Sequence, residues 1–414
     1  MKVFERYFKR NPLIGQLVFT GEVRGIVIIP ILDDPDIFRT IASLYTCRLS
    51  RGKAGVILVV NHGENCDMRI KEANRILAER LRKEVRNSDI LEFQVVEAFD
   101  LPAKDAGVGL ARKIAMDLAA AFFYRIAAPN APILSLDADT LVDVGYLEQT
   151  IRFFEENRVA GVSIAYAHRL EECRGPERTA MIKYELYLRY YRLALAYAGH
   201  PYAYSCIGSA FAVRAVDYVA QGGMNKRQAG EDFYFLQKLI GTGRYALLSA
   251  TRVYPSPRFS ARTPFGTGRS VRQIVESEGY FPVYRLEAFQ SLKTFFEGVA
   301  GLYKADDRKV EGYIKSQSSG LQNFLTRIDG ISMIAEANAN CASCQQFIKR
   351  FFDHFNAFRV LKYLNYIHEN QYSKMDVADE SYQLFQVMGY PWADNLMENL
   401  EFLRNVPEEN LSLY

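Results

Sequence analysis

The stretch ILSLDADT, residues 133–140, is a mostly apolar run that ends in two aspartates spaced by one residue. Runs of this kind are typical of a strand buried on both faces of a sheet. Asp137 and Asp139 would then lie just beyond the carboxyl end of the strand, where ligands bind in open α/β sheets. Two carboxylates there repel each other unless a cation or hydrogen-bond donors compensate. The stretch therefore predicts an α/β sheet with a charged site at one edge.

Similar patterns on both sides of this stretch extend the predicted sheet. β-Branched and apolar runs indicate further strands at 25–30, 55–60, 92–98 and 159–166. Helix-like segments separate them, at 37–44, 68–85, 110–124 and 146–156. Repeated strand–helix units predict a mostly parallel sheet with helices on both faces. From about residue 282 to residue 400 helical spacing dominates and no strand is predicted, so we expect a sheet domain over 1–280 and an all-helical domain over 281–414.

Composition and charge restrict the class of protein. The chain has 414 residues, 49% of them hydrophobic and 24% charged, which is typical of a folded globule. Its 51 basic and 48 acidic residues nearly cancel, and this argues against a nucleic-acid-binding protein with one basic face. No apolar run is long enough to span a bilayer, and the N-terminus lacks the apolar core of a signal peptide. These features predict a cytoplasmic protein, with peripheral contact at the inner face of the membrane left open.

The six cysteines point to a reducing compartment. They are mostly far apart, and the CxxC formed by Cys341 and Cys344 has no second pair nearby to complete a zinc site. The five histidines show no HxxxH or HExxH spacing either. Buried thiols and structural histidines are the simplest interpretation of both residue types.

Three groups of residues could carry chemistry. Asp137 and Asp139 could bind a hard divalent ion that holds two phosphate oxygens, because Mg²⁺ favours a few carboxylates with substrate phosphates. The alternative is a solvated turn in which Asp139 caps a helix. The second group, Glu231 and Asp232, begins a helix-like run after Gly230. A carboxylate there either caps that helix or takes the proton from an attacking hydroxyl.

The third group is basic and lies in a loop rich in proline and glycine. Arg258, Arg262 and Arg269 fall within twelve residues, and arginine forks with glycine amides suit a diphosphate leaving group. The alternative is a solvated loop. A different segment, 107–112, has two of the glycines of a dinucleotide-binding fingerprint, but Arg112 stands where that fingerprint needs a small residue.

Taken in chain order, these pieces resemble the family-2-type glycosyltransferases, which have the GT-A fold. The resemblance covers roughly residues 23 to 270, and each motif is weak alone. It is carried by Ile28-Ile29-Pro30, Val59-Val60-Asn61, Asp105-x-Gly107 with Ala111-Arg112-Lys113, the LDADT string, Ile207-Gly208-Ser209-Ala210-Phe211, and Gly222-Gly223 followed by Gly230-Glu231-Asp232.

The resemblance implies a role for each matching position. Asp139 would bind Mn²⁺ or Mg²⁺ bridging the donor diphosphate, with Asp137 on the ribose or sugar side. Asp232 would be the general base of an inverting displacement, with Glu231 in support. Gly208 and Ser209 would shape the acceptor side. The donor nucleotide would be lined by Pro30, Asp33, Asn61, Lys104, Gly107 and Arg112, and the basic loop would supply Arg258, Arg262 and Arg269.

The implied reaction is transfer of a sugar from a nucleotide-diphosphate donor, UDP- or GDP-linked, to an acceptor hydroxyl. The acceptor would be a carbohydrate, a lipid-linked molecule or a small hydroxylated compound, as in polysaccharide or glycoconjugate biosynthesis. No nucleic acid is implied. The helical third lies outside the resemblance, and it could cover the acceptor cleft, form a homodimer or contact a membrane surface.

Two departures from the family pattern limit what can be carried over. Ile31-Leu32-Asp33 stands where the family has Tyr-Asn, so contacts to the nucleobase are less defined. No histidine lies between His200 and His354 to complete the metal site, so Asp139, the diphosphate and water would hold the ion.

Three other functions stay open from the sequence. A nucleotidyltransferase would need a glycine-rich loop directly after the first strand, and residues 30–35 are not one. A retaining transferase related to the mannosylglycerate or glucosylphosphoglycerate synthases would use the same aspartates without a base at Asp232. A non-catalytic sugar-binding or scaffolding protein would need neither.

Overall fold

The computed structural model describes residues 1–227, 230–258 and 266–406. The elements as far as the middle of the chain are α1 (Lys2–Arg10), β1 (Val23–Ile31), α2 (Ile37–Tyr45), β2 (Lys53–Gly63), α3 (Met68–Glu84), β3 (Leu91–Leu101), α4 (Val108–Arg125), β4 (Pro132–Ser135), β5 (Leu141–Val142), α5 (Tyr146–Glu156), β6 (Gly161–Tyr166), α6 (Gly175–Tyr197), β7 (Phe211–Arg214), α7 (Ala215–Ala220), α8 (Glu231–Ile240) and β8 (Tyr245–Tyr254).

The remaining elements are mainly helical. They are α9 (Thr267–Glu276), β9 (Pro282–Val283), α10 (Leu286–Glu297), α11 (Asp307–Lys315), α12 (Ser319–Arg327), α13 (Gly330–Asn338), α14 (Cys344–His354), α15 (Ala357–Asn370), β10 (Met375–Asp376), α16 (Val377–Met388) and α17 (Leu396–Asn405). Strands β9 and β10 pair antiparallel. The prediction of no strand after residue 282 is therefore wrong, because two-residue strands are too short to leave an alternating pattern.

The chain forms two compact units. The sheet unit contains residues 1–172 and 206–269, and the helical unit contains residues 173–205 and those from 270 onwards. Helix α6, rich in tyrosine, belongs to the helical unit because it packs against α10, α16 and α17. The division of the chain thus differs from the single predicted cut near residue 280.

The sheet unit is built on eight strands in the order β3-β2-β1-β4-β7-β6-β8-β5. Strand β1 pairs in parallel with both β2 and β4, while β7 runs antiparallel to β4 and β6. β1 and β2 are buried along nearly their whole length, which explains why their sequences are apolar without alternation. The predicted mostly parallel sheet flanked by helices, with a helical C-terminal part, is confirmed.

The strand order places a topological switch point between β1 and β4. The chain continues from β1 to β2 and β3 on one side, and β4 lies on the other side. Loops leaving two such strands diverge and open a crevice at their carboxyl ends, where α/β sheets bind ligands. In this chain the two loops begin with Leu32-Asp33-Asp34 and with Leu136-Asp137. The sheet therefore brings two acidic segments to one crevice.

Helix α1 is fixed to the sheet unit by a buried polar cluster. The Tyr7 hydroxyl donates to Asp117 (2.6 Å) and accepts from the Lys113 ammonium (2.7 Å), and the Tyr218 hydroxyl also donates to Asp117 (2.5 Å). Burial raises the pKa of Tyr7, and the charge of Asp117 adds to the rise. The cluster holds α4, the helix that also carries Arg112, against α1 and α7.

The helical unit has its own core around α6, α10 and α14. Phe295, Phe351 and Phe355 are fully buried in it, and the rings of Phe351 and Phe355 are stacked with centroids 5.9 Å apart. The spacing of the phenylalanines in α14 thus serves internal packing, as helical periodicity predicts. Each buried aromatic side chain removes a large apolar area from water, which suits a unit whose described residues form helices and a two-stranded ribbon.

Candidate functional site

The two aspartates of LDADT lie where the sequence places them, directly after β4. Ser135, the last residue of β4, is fully buried and lies opposite Ile28 of β1. The following turn is closed by a hydrogen bond from the Thr140 amide to the Asp137 carbonyl (3.1 Å). The Thr40 hydroxyl of α2 also donates to the Ala138 carbonyl (2.8 Å). These bonds fix the loop that presents both carboxylates at the switch point.

Arg112 of α4 is the centre of one half of the site. Its side chain is 2% exposed, and its Nη2 donates to Asp137 at 2.6 Å. Its Nη1 pairs with Glu231 at the start of α8, and its Nε donates to the Ser135 hydroxyl at 3.0 Å. That hydroxyl in turn donates to the Gly208 carbonyl at 2.7 Å. One buried guanidinium thus joins four segments far apart in the sequence.

This geometry differs from the expected contact between Arg112 and the donor nucleotide. Both terminal nitrogens of the guanidinium and its Nε are directed to protein groups, and the side chain is almost inaccessible. A buried charge of this kind is stable because its carboxylate partners are in contact with it. The structure favours Arg112 as the residue that positions Asp137 and Glu231.

Asp232 lies beside this cluster. A methyl group at the Cα of Gly208 would lie 3.2 Å from an Asp232 carboxyl oxygen and 2.9 Å from the Arg112 Nη2. Gly208 therefore allows a close approach between its own loop and the two charged side chains. The Asp232 carboxyl accepts a hydrogen bond from the Phe233 amide (2.7 Å).

Both carboxyl groups at the start of α8 have perturbed acidity. Burial raises the pKa of Asp232, the guanidinium of Arg112 opposes the rise, and the charge of Asp137 adds to it. The pKa of Glu231 is raised by burial and lowered by Arg112 in the same way. Glu231 is 3% exposed and Asp232 is half-buried. Asp232 is thus the more accessible of two carboxylates that hold their protons more tightly than a carboxylate in water.

The other half of the site surrounds Asp139. Its carboxylate lies 3.1 Å from the guanidinium of Arg258, which also pairs with Asp34 and with Asp36 (2.9 Å). Burial raises the pKa of Asp139 to about 6, with Asp137 and Asp34 adding to the rise and Arg258 opposing it. Three carboxylates therefore share one arginine.

Asp34 and Asp36 are site residues that the sequence analysis did not single out. They follow β1 in the segment LDDPD, an acidic run at a strand end, and that signal was present in the sequence. Arg169 was also missed, and its guanidinium donates to the backbone carbonyls of Asp139 (3.1 Å) and Tyr254 (2.9 Å). Nothing in its local sequence distinguishes it from other arginines.

The remaining expected residues are more dispersed. Pro30 is buried within β1, and the buried amide of Asn61 donates to the Ile31 carbonyl (2.8 Å), so it braces the strand end. The Asp33 amide donates to the side chain of Asn74 (2.8 Å). Lys104 is exposed in the loop before α4. The others lie as follows: Gly107 precedes α4, Ser209 is buried after Gly208, Arg269 is exposed in the first turn of α9, and Arg262 lies outside the described residues.

The donor set around Asp139 fits a divalent cation in one respect. The carboxylates of Asp34, Asp36 and Asp139 surround the guanidinium of Arg258, and burial, with the charges of Asp137 and Asp34, raises the pKa of Asp139. Within residues 1–227, 230–258 and 266–406, however, no group of three or more His, Cys, Asp or Glu side chains is arranged to hold a metal ion. A cation at Asp139 would therefore need ligands from a bound diphosphate or from water.

A comparison with protein families decides the class of protein. Residues 132–274, from β4 into α9, match the family described as glycosyl transferase family group 2. The chain carries a glycosyltransferase domain. The matched segment of this glycosyltransferase contains Asp137, Asp139, Glu231 and Asp232, together with the Gly208 loop that contacts them. No curated protein sequence matches the chain.

Solved structures of remote similarity were also found for this glycosyltransferase. S. aureus TarS 1-349 in complex with UDP-GlcNAc is 13% identical, with 81% of this chain and 92% of that chain covered and a TM-score of 0.41. The mannosyltransferase PcManGT from Pyrobaculum calidifontis in complex with GDP-Man and Mn²⁺ is 13% identical, with 85% and 92% covered and a TM-score of 0.36. At these scores the likeness carries no inference about the chemistry of this chain.

Among the helices that the structure describes, none combines enough length with enough apolar character to cross a bilayer.

Proposed function

We propose that this glycosyltransferase moves a sugar from a UDP- or GDP-linked donor to an acceptor hydroxyl, with inversion, and that Asp232 is the general base. The observation that supports this most is that the three carboxylates around Arg112 have different contacts and exposure. Asp137 and Glu231 each accept a hydrogen bond from its guanidinium, while Asp232 lies beside them and is more accessible than Glu231.

Asp232 suits the removal of a proton from an acceptor hydroxyl. A base works best when its pKa lies near the working pH, and burial raises the pKa of Asp232 in that direction. Gly208 and Ser209 would shape the acceptor side, since the Gly208 loop approaches the Asp232 carboxyl closely. A retaining enzyme would need no base here, so the anomeric form of the product separates the two mechanisms.

The carboxylates at the switch point suit the donor diphosphate. A Mn²⁺ or Mg²⁺ ion held by Asp139 would stabilise the charge that develops on the leaving diphosphate. Arg258 would contact the same phosphate oxygens, and its position beside Asp139 supports this role. Asp137 would face the ribose or sugar, since its side chain is 38% exposed although one oxygen is held by Arg112.

The donor nucleoside would lie in the crevice between the β1 and β4 loops. Asp33, Lys104 and Arg269 would line it, and Pro30, Asn61, Gly107 and Arg112 would support its walls from buried positions. Arg262 would belong to the same basic loop. A neutral carbohydrate, a lipid-linked molecule or a small hydroxylated compound would be the acceptor.

The test begins with a thermal-shift screen of UDP-, GDP- and dTDP-sugars with and without Mn²⁺, because a ligand that binds the native state raises the melting temperature. With the donor that stabilises the protein, release of nucleoside diphosphate is then measured for wild type and Asp232→Asn. Removing a general base lowers turnover by about 10²- to 10⁴-fold.

A matched control makes this test specific. Asp89→Asn removes an exposed carboxylate in the loop before β3 of the same sheet unit, and it should leave turnover unchanged. Asp232→Asn should keep the donor-induced thermal shift. Near-normal turnover by Asp232→Asn would show that another group is the base, and a screen without any stabilising donor would contradict the proposed substrate class.

A further inference from the structure

One face of helix α10 in the helical unit is polar and carries a single charged side chain, Glu287. Its opposite face is buried in the core through Phe289, Leu292 and Phe296. The polar face is formed by residues spaced as i, i+3, i+4 and i+7, which places them on one side of a helix. These residues are Glu287, Gln290, Ser291 and Thr294.

This face lines a pocket of about 360 Å³. Gln317 and Ser318, between α11 and α12, and Tyr372, after α15, complete the lining. The volume falls within the range of about 300–1,000 Å³ that is usual for small-molecule sites. All seven residues belong to the helical unit, so the pocket lies entirely outside the sheet unit that carries the transferase residues.

Gln317 carries an acceptor that the described protein does not use. Its side chain is 92% buried, since 8% of the residue is exposed, and its Oε1 has no hydrogen-bond partner among the described residues. Its Nε2 donates to the Tyr313 carbonyl (3.1 Å) and to the Ser316 hydroxyl (3.2 Å), so the orientation of the amide is fixed. A buried polar atom without a partner is costly and rare in native proteins. Gln317 is thus a lining residue of the pocket whose acceptor is left without a partner by the described residues.

The chemistry of the lining favours a neutral ligand that carries many hydroxyl groups. Within the described part of the chain, the residues around the pocket supply three aliphatic hydroxyls, two amides, a carboxylate and a phenol ring, and none of the seven is basic. The Glu287 carboxylate is paired with Arg285, whose Nε donates to it at 3.1 Å, so its charge is already balanced. The lining residues offer no cation to an anionic ligand such as a phosphate, and Arg285, which lies 5.8 Å from the centroid of the Tyr372 ring, is already paired with Glu287. Alcohols and amides that both donate and accept hydrogen bonds suit a sugar.

We propose that this pocket is a second carbohydrate site, which binds a neutral oligosaccharide without taking part in transfer. The hydroxyls of one sugar ring would bond to the polar side chains of the α10 face. The ring of Tyr372 would cover the apolar side of the sugar, because an aromatic side chain offers a flat apolar surface next to polar groups. The proposal does not depend on the transferase mechanism, since binding is measured without any donor.

The experiment titrates the full chain with maltotriose, cellotriose, chitotriose and xylotriose by ligand-observed NMR, with no nucleotide present. At least one trisaccharide should bind saturably to wild type. Thr294→Trp places a large side chain on the rim of the pocket at an exposed position, and it should weaken that affinity by at least about tenfold. Tyr372→Phe keeps the ring and should retain binding, whereas Tyr372→Ala should lose it.

Thr326→Trp is the matched control. Thr326 is also an exposed helical threonine whose hydroxyl donates to the carbonyl four residues earlier, at 2.9 Å against 3.2 Å for Thr294, and it does not line the pocket. Its affinity for the trisaccharide should equal that of wild type. Absence of saturable binding by all four sugars would overturn the proposal, and so would equal affinities of wild type and Thr294→Trp. A pocket that holds only water would give the first of these results.

Discussion

Replacing Asp139 with asparagine should stabilise the free protein at neutral and alkaline pH. Asparagine resembles a protonated aspartate, so it removes the charge that burial, Asp137 and Asp34 disfavour. The pKa of Asp139 lies at about 6 in the folded protein instead of its ordinary value of 3.8. At about 1.4 kcal/mol per pH unit, this difference corresponds to at most about 3 kcal/mol.

The pH dependence of this effect has a defined sign. A carboxyl whose pKa is raised by folding favours the native state fully below its unfolded pKa, and this contribution is lost as pH rises through the folded pKa. Wild type should therefore lose stability between about pH 4 and pH 6 through this group. Asp139→Asn should match wild type near pH 4 and exceed it by up to about 3 kcal/mol at pH 8.

Hydrogen exchange of peptides covering residues 132–142, in urea and EDTA, is the suitable assay. It reports the sheet unit, whereas the single tryptophan lies in the helical unit. Asp89→Asn, which removes an exposed carboxylate of the sheet unit, serves as control and should show no gain at pH 8. A variant Asp139→Asn that is less stable than wild type at pH 8, or equally stabilised at both pH values, would refute the charge-crowding account of this site.

Three further predictions concern the supports of the two units. Arg112→Met should lower the free energy of unfolding by about 3–5 kcal/mol, because it leaves a buried carboxylate unpaired. Adding Glu231→Gln to this variant should restore at least about 1 kcal/mol. Additive losses of the two substitutions in a double-mutant cycle would count against the buried pair. Burial lowers the pKa of His200 to about 4, so the helical unit should lose up to about 3 kcal/mol of stability as pH falls from 6.5 to 4. Tryptophan fluorescence in urea measures this loss, and His200→Gln should reduce its dependence on pH. Gly223→Ala should destabilise the sheet unit more than Gly243→Ala, because the new methyl group would meet the Tyr7 hydroxyl only at position 223. The two glycines have nearly the same φ, +72° and +71°, so backbone strain is matched. Equal losses of stability by hydrogen exchange would exclude the clash.

Local patterns predicted the elements closely where burial is continuous or helical spacing is long. Residues 68–85 were expected to be helical and α3 spans Met68–Glu84, and the buried run ending at Leu136 is indeed followed by the site loop. Helix α6 begins at Gly175 and has a proline in its first turn. That proline is compatible with a helix start and not with its interior. Such features depend on neighbouring residues, which the sequence displays directly.

The contacts that define the site depend on residues far apart in the chain. Arg258 and Asp34 are 224 positions apart, and Arg112 and Glu231 are 119 positions apart. No local pattern indicates that one arginine will be shared by the loops after β1 and β4. The sequence therefore predicted that Asp137 and Asp139 follow a buried strand, while the contacts of Arg112 as a buried support, and the position of Asp34 and Asp36 beside Asp139, required the structure.

The central claim is that the switch-point carboxylates build the donor diphosphate site. Isothermal titration of wild type and Asp139→Asn with the stabilising donor, with and without Mn²⁺, tests it most directly. Wild type should bind the donor at least about tenfold more tightly when Mn²⁺ is present, and Asp139→Asn should lose this dependence on the metal. Equal donor affinities of the two proteins in Mn²⁺ would contradict the claim.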